Sequence, residues 1–129
     1  MNENQIARVV VDAAVKVHRM LGPGLLESVY EVVLARELVQ RGLRVERQVS
    51  IPIEYEGLKF DEGFRADIIV EEKVILELKS VEQIAKVHHK QLFTYLKLAD
   101  KRLGLLLNFG ANLMKEGIKR IANGMDDMP

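Results

Sequence analysis

The stretch Arg65-Ala66-Asp67-Ile68-Ile69-Val70-Glu71-Glu72-Lys73-Val74-Ile75-Leu76-Glu77-Leu78-Lys79 decides the fold that the sequence predicts. Two runs of β-branched and aliphatic residues, 68–70 and 74–76, flank a short charged break, and this pattern indicates a β-hairpin. Successive side chains of a strand point to opposite faces of the sheet, so Glu77 and Lys79 share one face. The second strand of the hairpin therefore presents a carboxylate and an ammonium group on the same side.

The register of this hairpin decides whether a second carboxylate joins them. Pairing of Val70 with Val74 would place Asp67 directly opposite Glu77, with their Cβ atoms roughly 5 Å apart. Two carboxylates this close repel each other unless a cation lies between them, and the arrangement suits Mg²⁺ or Mn²⁺ with a phosphate substrate. A slip of one residue would send Asp67 to the opposite face. In the alternative interpretation the hairpin is amphipathic, and Glu77 and Lys79 form an ordinary surface pair.

The length and composition of the chain limit the class of protein. With 129 residues, the chain is long enough for one domain, residues 1–129, and too short for two. No apolar run approaches the roughly 20 residues of a membrane span, and the first residues lack the basic flank and apolar stretch of a signal peptide. There is no cysteine, so a disulfide framework and a thiolate metal site are excluded. We therefore predict a cytoplasmic protein without a membrane segment.

Charge is balanced over the whole chain but uneven along it. The sequence has 19 basic and 19 acidic residues, which argues mildly against strong autonomous nucleic-acid binding. Residues 83–120 nevertheless contain eight basic and two acidic residues. A locally basic surface beside an acidic metal centre is what a phosphodiester-binding protein requires. The alternative is that these lysines and arginines lie on solvated helix faces.

The N-terminal segment predicts a helix followed by a sharp turn. Apolar residues recur at helical spacing over residues 3–20, and Asn2 or Asn4 could cap the helix that they predict. Residues 21–24, Leu-Gly-Pro-Gly, would end it, because proline and two glycines continue a helix poorly. His18 lies just before this turn and is expected at the surface.

The next segment predicts a second helix and two long strands. The helix is expected over residues 25–41, with Gly42 as a left-handed C-terminal cap. Strands are expected over residues 44–55 and 58–70. Pro52 cannot donate a hydrogen bond to a ladder, so the first strand should lie at a sheet edge or be broken at that residue.

The remaining elements complete a mixed sheet covered by helices on both sides. A strand is expected at 74–79 and a strand buried on both faces at 103–109. Between them, residues 80–83 match a capping box that could open a helix, whose main body is expected at 86–99 after an irregular start. The segment at 112–123 is either helical or an extended edge, and residues 122–129 are expected to form a flexible tail. The order α-α-β-β-β-α-β predicts an α/β or α+β fold.

These elements and motifs together resemble a known superfamily. The strand order, Asp67 and Glu77-Leu78-Lys79 resemble the PD-(D/E)XK nuclease superfamily, which implies a restriction-endonuclease-like αβββαβ core. Within it, the sequence is similar to the GxxExxY family, whose naming motif matches Gly24-Leu25-Leu26-Glu27-Ser28-Val29-Tyr30. Gln91-Leu92-Phe93-Thr94-Tyr95 resembles the Q-x-x-x-Y helix motif of RecB-like nucleases, and Gly63-Phe64-Arg65-Ala66-Asp67 resembles the glycine-rich lead-in to their aspartate. The resemblance extends over residues 6–123, and Ala66 stands where the superfamily's naming proline is found.

The resemblance implies a role for each residue of the acidic centre. Asp67 and Glu77 would be the principal metal ligands, with the Leu78 carbonyl oxygen as a backbone ligand. Lys79 would orient or activate the attacking water and offset charge on the phosphate. Glu27 would complete the acidic cluster, directly or through a water molecule. The implied cofactor is Mg²⁺ or Mn²⁺.

The resemblance also implies that a helix beside the acids contacts nucleic acid. Gln91 and Tyr95 would approach the scissile phosphate or support the metal site. Apart from the resemblance, the basic charge of this segment suggests that Lys86 and Lys90 contact the nucleic-acid backbone. Adjacent helical residues point about 100° apart, so only one of the two histidines at 88–89, taken as His88, would contact phosphate.

Helical spacing gives several of these residues a second interpretation. Glu27 and Tyr30 share a helix face with Leu34, which places Glu27 inward or at the edge of the core. Alternatively, Glu27 is a first-turn glutamate that interacts with the helix dipole. Tyr30 is expected to be a core aromatic residue with a hydrogen-bonded hydroxyl group. Tyr95 could equally be a core residue, with the polar Gln91 one turn earlier.

We therefore expect a metal-dependent nuclease that hydrolyses phosphodiester bonds in nucleic acid, with DNA favoured over RNA. One alternative is a catalytically silent nucleic-acid-binding or regulatory module on the same fold, which would bind in a salt-dependent manner without cleavage. Another is an interaction protein whose sheet edge pairs in a homodimer. The sequence leaves open whether cleavage would be endonucleolytic or exonucleolytic, and which sequences would be preferred.

Overall fold

The chain folds into a five-stranded sheet covered by helices on both faces. The computed structural model describes residues 1–125. The helices are α1 (Glu3–Leu21), α2 (Glu27–Gln40) and α3 (Lys86–Ala99), with a 3₁₀ turn at Met114–Glu116. The strands are β1 (Val45–Tyr55), β2 (Leu58–Val70), β3 (Val74–Lys79), β4 (Leu103–Asn108) and β5 (Ile118–Ala122). This is the predicted α+β fold with a restriction-endonuclease-like mixed sheet.

The strands lie in the order β1-β2-β3-β4-β5. The pairs β1–β2, β2–β3 and β4–β5 are antiparallel, and the pair β3–β4 is parallel. A parallel pair needs a long crossover connection, and α3 supplies it between β3 and β4. Val70 pairs with Val74, so the β2–β3 hairpin adopts, of the registers left open, the one in which Asp67 was expected to lie opposite Glu77.

Local signals in the sequence set the helix ends. The Asn2 side chain accepts a hydrogen bond from the Gln5 amide at 2.8 Å, and the Gln5 side chain accepts one from the Asn2 amide at 2.8 Å. This capping box starts α1. Gly42 follows α2 with a φ of 87°, and the Leu43 amide donates to the Leu38 carbonyl oxygen at 3.1 Å, which is the predicted C-terminal cap.

Within residues 1–125, no helix combines the length and apolar content needed to cross a bilayer.

The sheet separates two apolar cores. The first core lies between the sheet and the helices α1 and α2, and the second lies between the sheet and α3. All six residues of β4 are buried, with Leu105 in the first core and Leu106 in the second. The prediction that this strand is buried on both faces is therefore confirmed.

β1 forms one edge of the sheet, and its pairing with β2 shifts between Ile51 and Ile53. Pro52 lies at this shift, where its missing amide hydrogen removes no regular ladder bond. Across from it, a Cβ atom added to Gly63 would overlap the Ile51 carbonyl group, so only glycine fits there. The two features predicted from Pro52, an edge strand and a break, are both present.

The predicted main body of the third helix, residues 86–99, is confirmed as α3, whereas the capping box considered at residues 80–83 does not open a helix. Residues 80–85 precede α3 without joining it, and the Ser80 and Val81 amides bind the side chains of Glu27 and Asn108. The expectation for His18 is wrong. His18 is 6% exposed rather than at the surface, since its Nε2 lies 2.8 Å from the Ala111 carbonyl oxygen in a hydrogen bond.

The C-terminal segment is more ordered than the sequence predicts. Residues 118–122 form β5 and pair with β4, which is the extended edge considered as the alternative to a helix. The predicted tail does not begin at residue 122, because the Asn123 amide donates to the Arg102 carbonyl oxygen at 2.8 Å. Residues 126–129 of that predicted tail lie outside the described residues.

Candidate active site

The two predicted acids, Asp67 and Glu77, meet where β2 and β3 separate. We call this position, formed by Asp67, Glu77 and Leu78, the fork. Pairing between these strands ends at Ile68 and Leu76. Beyond that pair, the Asp67 amide donates a hydrogen bond to Glu77 Oε2 at 3.0 Å, and the Leu78 amide donates one to Asp67 Oδ2 at 2.9 Å. Each carboxylate thus takes the place of a carbonyl oxygen from the opposite strand. These crossed bonds hold Asp67 and Glu77 together.

Burial and mutual repulsion raise the pKa values of these two acids. Burial raises the pKa of Glu77 to about 8, and the neighbouring Asp67 carboxylate adds to the rise. Burial also raises the pKa of Asp67, and the charge of Glu31 adds to that rise, whereas the hydrogen bond from the Leu78 amide opposes it. The Lys79 ammonium group lowers the pKa of both acids without cancelling the effect of burial. The pair therefore holds a proton at neutral pH unless another cation replaces it.

Two half-buried carboxylates are a suitable donor set for Mg²⁺ or Mn²⁺. Hard cations prefer oxygen ligands, and Mg²⁺ commonly binds one or two carboxylates and completes its shell with water and substrate phosphate. Positive charge at the fork would relieve the repulsion that helps to raise the pKa of Glu77. Among residues 1–125, no group of three or more Asp, Glu, His or Cys side chains is arranged to hold a metal. Asp67 and Glu77 would thus be the main protein ligands.

Lys79 is fixed beside the acids by the parallel pairing of β3 with β4. It pairs with Asn108, and its carbonyl oxygen accepts a hydrogen bond from the Phe109 amide at 2.8 Å. The Asn108 side chain is buried and binds the loop that follows β3. Its Oδ1 accepts from the Val81 amide at 3.0 Å, and its Nδ2 donates to the Val81 carbonyl oxygen at 2.9 Å. The end of β3 is therefore anchored on the side of β4.

Glu27 anchors the same loop from the side of α2. Its Oε2 accepts a hydrogen bond from the Ser80 amide at 3.2 Å, and the Ser80 hydroxyl donates to the Leu25 carbonyl oxygen at 2.8 Å. Glu27 is exposed and lies in the first turn of α2, so it does not point inward, and its position is that of the first-turn glutamate considered as the alternative. Within the described part of the chain, Glu27 forms no three-acid metal site with Asp67 and Glu77. A contribution through a water molecule stays a prediction.

The G-x-x-E-x-x-Y motif shapes the turn that leads into α2. Tyr30 is fully buried, and its hydroxyl donates to the Gly22 carbonyl oxygen at 2.6 Å and accepts from the Leu25 amide at 3.1 Å. Its ring stacks on Phe109 with 4.5 Å between centroids. Gly24 has a φ of 102°, which favours glycine. Tyr30 is therefore the predicted core aromatic residue with a hydrogen-bonded hydroxyl group.

Tyr95 on α3 lies close enough to the acids to respond to their charge. Burial raises its pKa, and the charges of Glu77 and Asp67 add to the rise. Its ring stacks on Phe64, with 3.8 Å between centroids and an angle of 5° between planes. Gln91 is exposed one turn earlier. Tyr95 is thus both a packed aromatic residue and a neighbour of the acid pair, so the two interpretations drawn from the sequence are compatible.

The other predicted nucleic-acid contacts lie at the start of α3. Lys86 and Lys90 are exposed. His88 is half-buried, and its Nδ1 accepts a hydrogen bond from the Ala85 amide at 3.1 Å, so this ring caps the helix. Nδ1 is occupied, and a phosphate contact from His88 would have to use Nε2. The contacts of these three residues with nucleic acid stay predictions.

A polar cluster beside Asp67 was missed by reasoning from the sequence. Glu31 is 6% exposed. Its Oε2 accepts from Arg47 Nε at 3.0 Å and Nη2 at 2.8 Å, and its Oε1 accepts from Gln48 Nε2 at 2.6 Å. Part of the signal was present, because Glu31 precedes Leu34 and Leu38 by three and seven residues and therefore lies on the same face of the helix as these apolar residues. The partners on β1 follow no local pattern that would have revealed them.

Comparison with known protein families assigns the chain to a superfamily. A family model described as the PD-(D/E)XK nuclease superfamily matches residues 4–121. The chain belongs to the PD-(D/E)XK nuclease superfamily. No match was found among curated proteins or among solved structures. Membership in the PD-(D/E)XK nuclease superfamily suggests nuclease activity on a nucleic-acid substrate, and nucleases of this superfamily generally use divalent metal ions.

The match confirms the resemblance to the PD-(D/E)XK nuclease superfamily that was drawn from the sequence. It covers Asp67, Glu77 and Lys79, which are the residues that suggested the PD-(D/E)XK nuclease superfamily. It does not distinguish the GxxExxY family suggested by residues 24–30. Assignment to that narrower family therefore stays a prediction.

Proposed function

We propose that this protein is a metal-dependent nuclease that hydrolyses phosphodiester bonds in nucleic acid. The observation that carries the proposal is the crossed pair of hydrogen bonds that holds Asp67 and Glu77 together at the fork. Without a cation, ionising both of these half-buried carboxylates would lower stability, because burial and repulsion both oppose their charges. A site that receives a cation explains why both acids are present.

Asp67 and Glu77 would hold the cation, with the Leu78 carbonyl oxygen as the third protein ligand. When bound, Mg²⁺ or Mn²⁺ would polarise a phosphoryl oxygen and lower the pKa of a water molecule. Both carboxylates would then be ionised, because a nearby cation favours their charged form. The proton that the pair holds in the metal-free protein would be released to solvent, as is general when ligands must be deprotonated to bind.

Lys79 would place its ammonium group against the substrate phosphate and orient the attacking water. Its backbone is anchored on both sides, to Asn108 through strand pairing and to Glu27 through the following residue. Hydrolysis forms a bond between the water oxygen and phosphorus and breaks the bond to the leaving oxygen. A fixed positive group stabilises the negative charge that develops on the phosphoryl oxygens during this exchange. Glu27 would support the site through a water molecule.

Exposed groups on α3 would bind the substrate beside the fork. The charges of Glu77 and Asp67 contribute to the raised pKa of Tyr95 on α3, which supports a binding role for this helix. Gln91, one turn before Tyr95, and Lys86, His88 and Lys90 at the start of the helix would contact the substrate. Lysine contacts with phosphates would make binding weaken as salt concentration rises. We propose DNA rather than RNA as the substrate. We also propose a homodimer, because two copies would supply a longer binding surface for nucleic acid than one.

A cleavage assay with matched lysine variants tests the proposal. Labelled single-stranded, duplex and structured DNA and RNA would be incubated with Mg²⁺, Mn²⁺ or EDTA. We expect metal-dependent cleavage that falls by about 10²–10³-fold in Lys79→Ala. Lys73→Ala is the control, because Lys73 lies just before β3, is exposed, and donates its hydrogen bond to the Met1 carbonyl oxygen at 2.7 Å. Cleavage that persists in EDTA, or that survives in Lys79→Ala as well as in Lys73→Ala, would contradict the proposal.

One observation favours a second function, a nucleic-acid-binding module without turnover. Within residues 1–125 the acidic centre has two carboxylates rather than three, and Glu27 is already bound to the Ser80 amide. A silent module would bind nucleic acid through Lys86 and Lys90 in a salt-dependent manner. In the same assay it would show binding without cleavage under every metal condition.

A further inference from the structure

The polar cluster beside Asp67 has no part in the mechanism proposed above, yet its side chains are tightly held. The Glu31 cluster consists of Glu31 on α2 and of Arg47 and Gln48 on β1. Both carboxylate oxygens of Glu31 accept hydrogen bonds, from Arg47 at 2.8 and 3.0 Å and from Gln48 at 2.6 Å. Glu31 is buried, whereas Gln48 is exposed on the edge strand. A fully bonded, buried carboxylate fixes the position of the groups that bind it.

The Gln48 backbone adopts a conformation that non-glycine residues rarely take. Its φ is 52°, in the left-handed region. The flanking residues of β1 pair regularly with β2, as Arg47 with Ile68 and Val49 with Ala66. Gln48 therefore lies opposite Asp67. The irregular residue of the edge strand and the predicted metal ligand occupy the same position along the β1–β2 ladder.

Both strands of the ladder change faces at this position. Ile68 packs in the core beneath α1 and α2, but Ala66 packs in the core beneath α3. Regular alternation would put residues two apart on the same face, so β2 must twist sharply at Asp67. On β1, Val45 packs against the first core and Val49 against the second, although residues four apart should also share a face. The distortions of the two strands coincide.

The shared twist accounts for the fork. β2 pairs with β3 only up to Ile68 and Leu76, and the twist carries β2 away from β3 beyond that pair. The Asp67 and Leu78 amides then lack strand partners and bind the two carboxylates instead. The position of the acids therefore depends on a backbone conformation that Gln48 adopts while its side chain is bound to Glu31.

We infer that Glu31 and Gln48 are positioning residues for Asp67. The hydrogen bond from Gln48 to Glu31 holds the left-handed residue in β1, the matching twist in β2 opens the fork, and Asp67 is kept beside Glu77 in a geometry that can bind a divalent cation. Arg47 holds Glu31 in turn. This inference rests on the proposed metal-dependent function, and it assigns a role to a cluster that does not itself contact the cation.

Binding of Mn²⁺, measured by isothermal titration calorimetry, tests the role of Glu31 without relying on activity. Supporting residues around a metal site typically change affinity by about 10–100-fold when mutated, and we expect a loss of this size in Glu31→Gln. Glu37→Gln is the matched control, because Glu37 lies on the same helix and is also paired with an arginine, Arg41, at 2.9 Å. The control should bind Mn²⁺ within about twofold of wild type. Equal affinities in the two variants would overturn the inference.

Substitutions of Gln48 separate the backbone effect from the loss of a hydrogen bond. Glycine adopts positive φ freely, whereas alanine does not. We therefore expect Gln48→Gly to bind Mn²⁺ about tenfold more tightly than Gln48→Ala, although neither variant can bond to Glu31. Because Gln48 is exposed, both variants should fold. They therefore test the inference even if Glu31→Gln fails to fold. Equal affinity of the two Gln48 variants would also overturn the inference.

The same titrations distinguish failure of the inference from failure of the proposed function. Asp67→Asn should abolish Mn²⁺ binding if the acids hold the cation. If wild type binds no Mn²⁺, or binds it equally well in Asp67→Asn, both the proposed function and this inference are overturned. If binding depends on Asp67 but not on Glu31 or Gln48, the proposed function survives and only the positioning role is rejected.

Discussion

Replacing Glu77 with glutamine should change how the stability of the metal-free protein depends on pH. Burial and the neighbouring Asp67 raise the pKa of Glu77 from its ordinary value of 4.5 to about 8 in the folded protein. Between these two values the folded chain holds a proton that the unfolded chain has released, so stability falls as pH rises. Each pH unit in this window removes about 1.36 kcal/mol from the free energy of unfolding. Across the window this amounts to about 5 kcal/mol, and the loss levels off above the folded-state pKa.

Glu77→Gln should remove this dependence while leaving the fork in place. A glutamine side chain matches the protonated glutamate in shape, and its amide oxygen can still accept the hydrogen bond from the Asp67 amide. We expect the variant to match wild type near the lower end of the window and to be more stable by up to about 5 kcal/mol at its upper end. The measurement is urea unfolding followed by circular dichroism, in EDTA, at a series of pH values.

Glu37→Gln is the control for this experiment. Hydrogen bonds from Arg41 and Lys16 lower the pKa of Glu37, so its stabilising contribution is present above its ordinary pKa and is lost only as pH falls below that value. Throughout the neutral and mildly alkaline range, the difference between Glu37→Gln and wild type should be constant. A difference between Glu77→Gln and wild type that is equally constant over this range would refute the reasoning.

Three further substitutions test the contacts that support the site, each by urea unfolding. Tyr30→Phe should lower the free energy of unfolding by about 1–3 kcal/mol, because the Gly22 carbonyl oxygen loses the donor that lies 2.6 Å away. Asn108→Asp should cost about 1–3 kcal/mol, because it removes the donor to the Val81 carbonyl oxygen and introduces a charge at a position that is 2% exposed. Gly110→Ala should cost about 1–3 kcal/mol, since the added Cβ atom would overlap the Val81 carbonyl group and force a backbone shift. A change below about 0.5 kcal/mol in any of them would contradict the contact concerned.

The hairpin that carries the acids could be predicted because two local signals agree. Two apolar runs flank a short charged break, and this pattern predicts a hairpin but allows registers that differ by one residue. The observed pair of Val70 with Val74 is one of these registers. The expectation that Asp67 and Glu77 meet therefore depended on a register that the sequence left open. The buried strand β4 could also be predicted, because its residues are mostly apolar and show little alternation with polar residues.

The contacts that support the site could not be predicted, because they join residues that are far apart in sequence. Asn108 binds Val81, 27 residues away, and no local pattern links an asparagine at a strand end to a loop across the sheet. The left-handed conformation of Gln48 coincides with a change of faces along β1 and β2, and its side chain binds Glu31, 17 residues earlier, so no local pattern reveals it. His18 was assigned to the surface from its place before a turn, whereas its partner, the Ala111 carbonyl oxygen, lies 93 residues later.

Anomalous diffraction from a crystal of the wild-type protein soaked in Mn²⁺ would test the central claim most directly. We predict an anomalous peak at the fork, within coordination distance of carboxylate oxygens from both Asp67 and Glu77, and no peak there in a crystal of Asp67→Asn treated in the same way. A map with no peak at the fork of the wild-type protein, at a Mn²⁺ concentration that labels other surface carboxylates, would contradict the account.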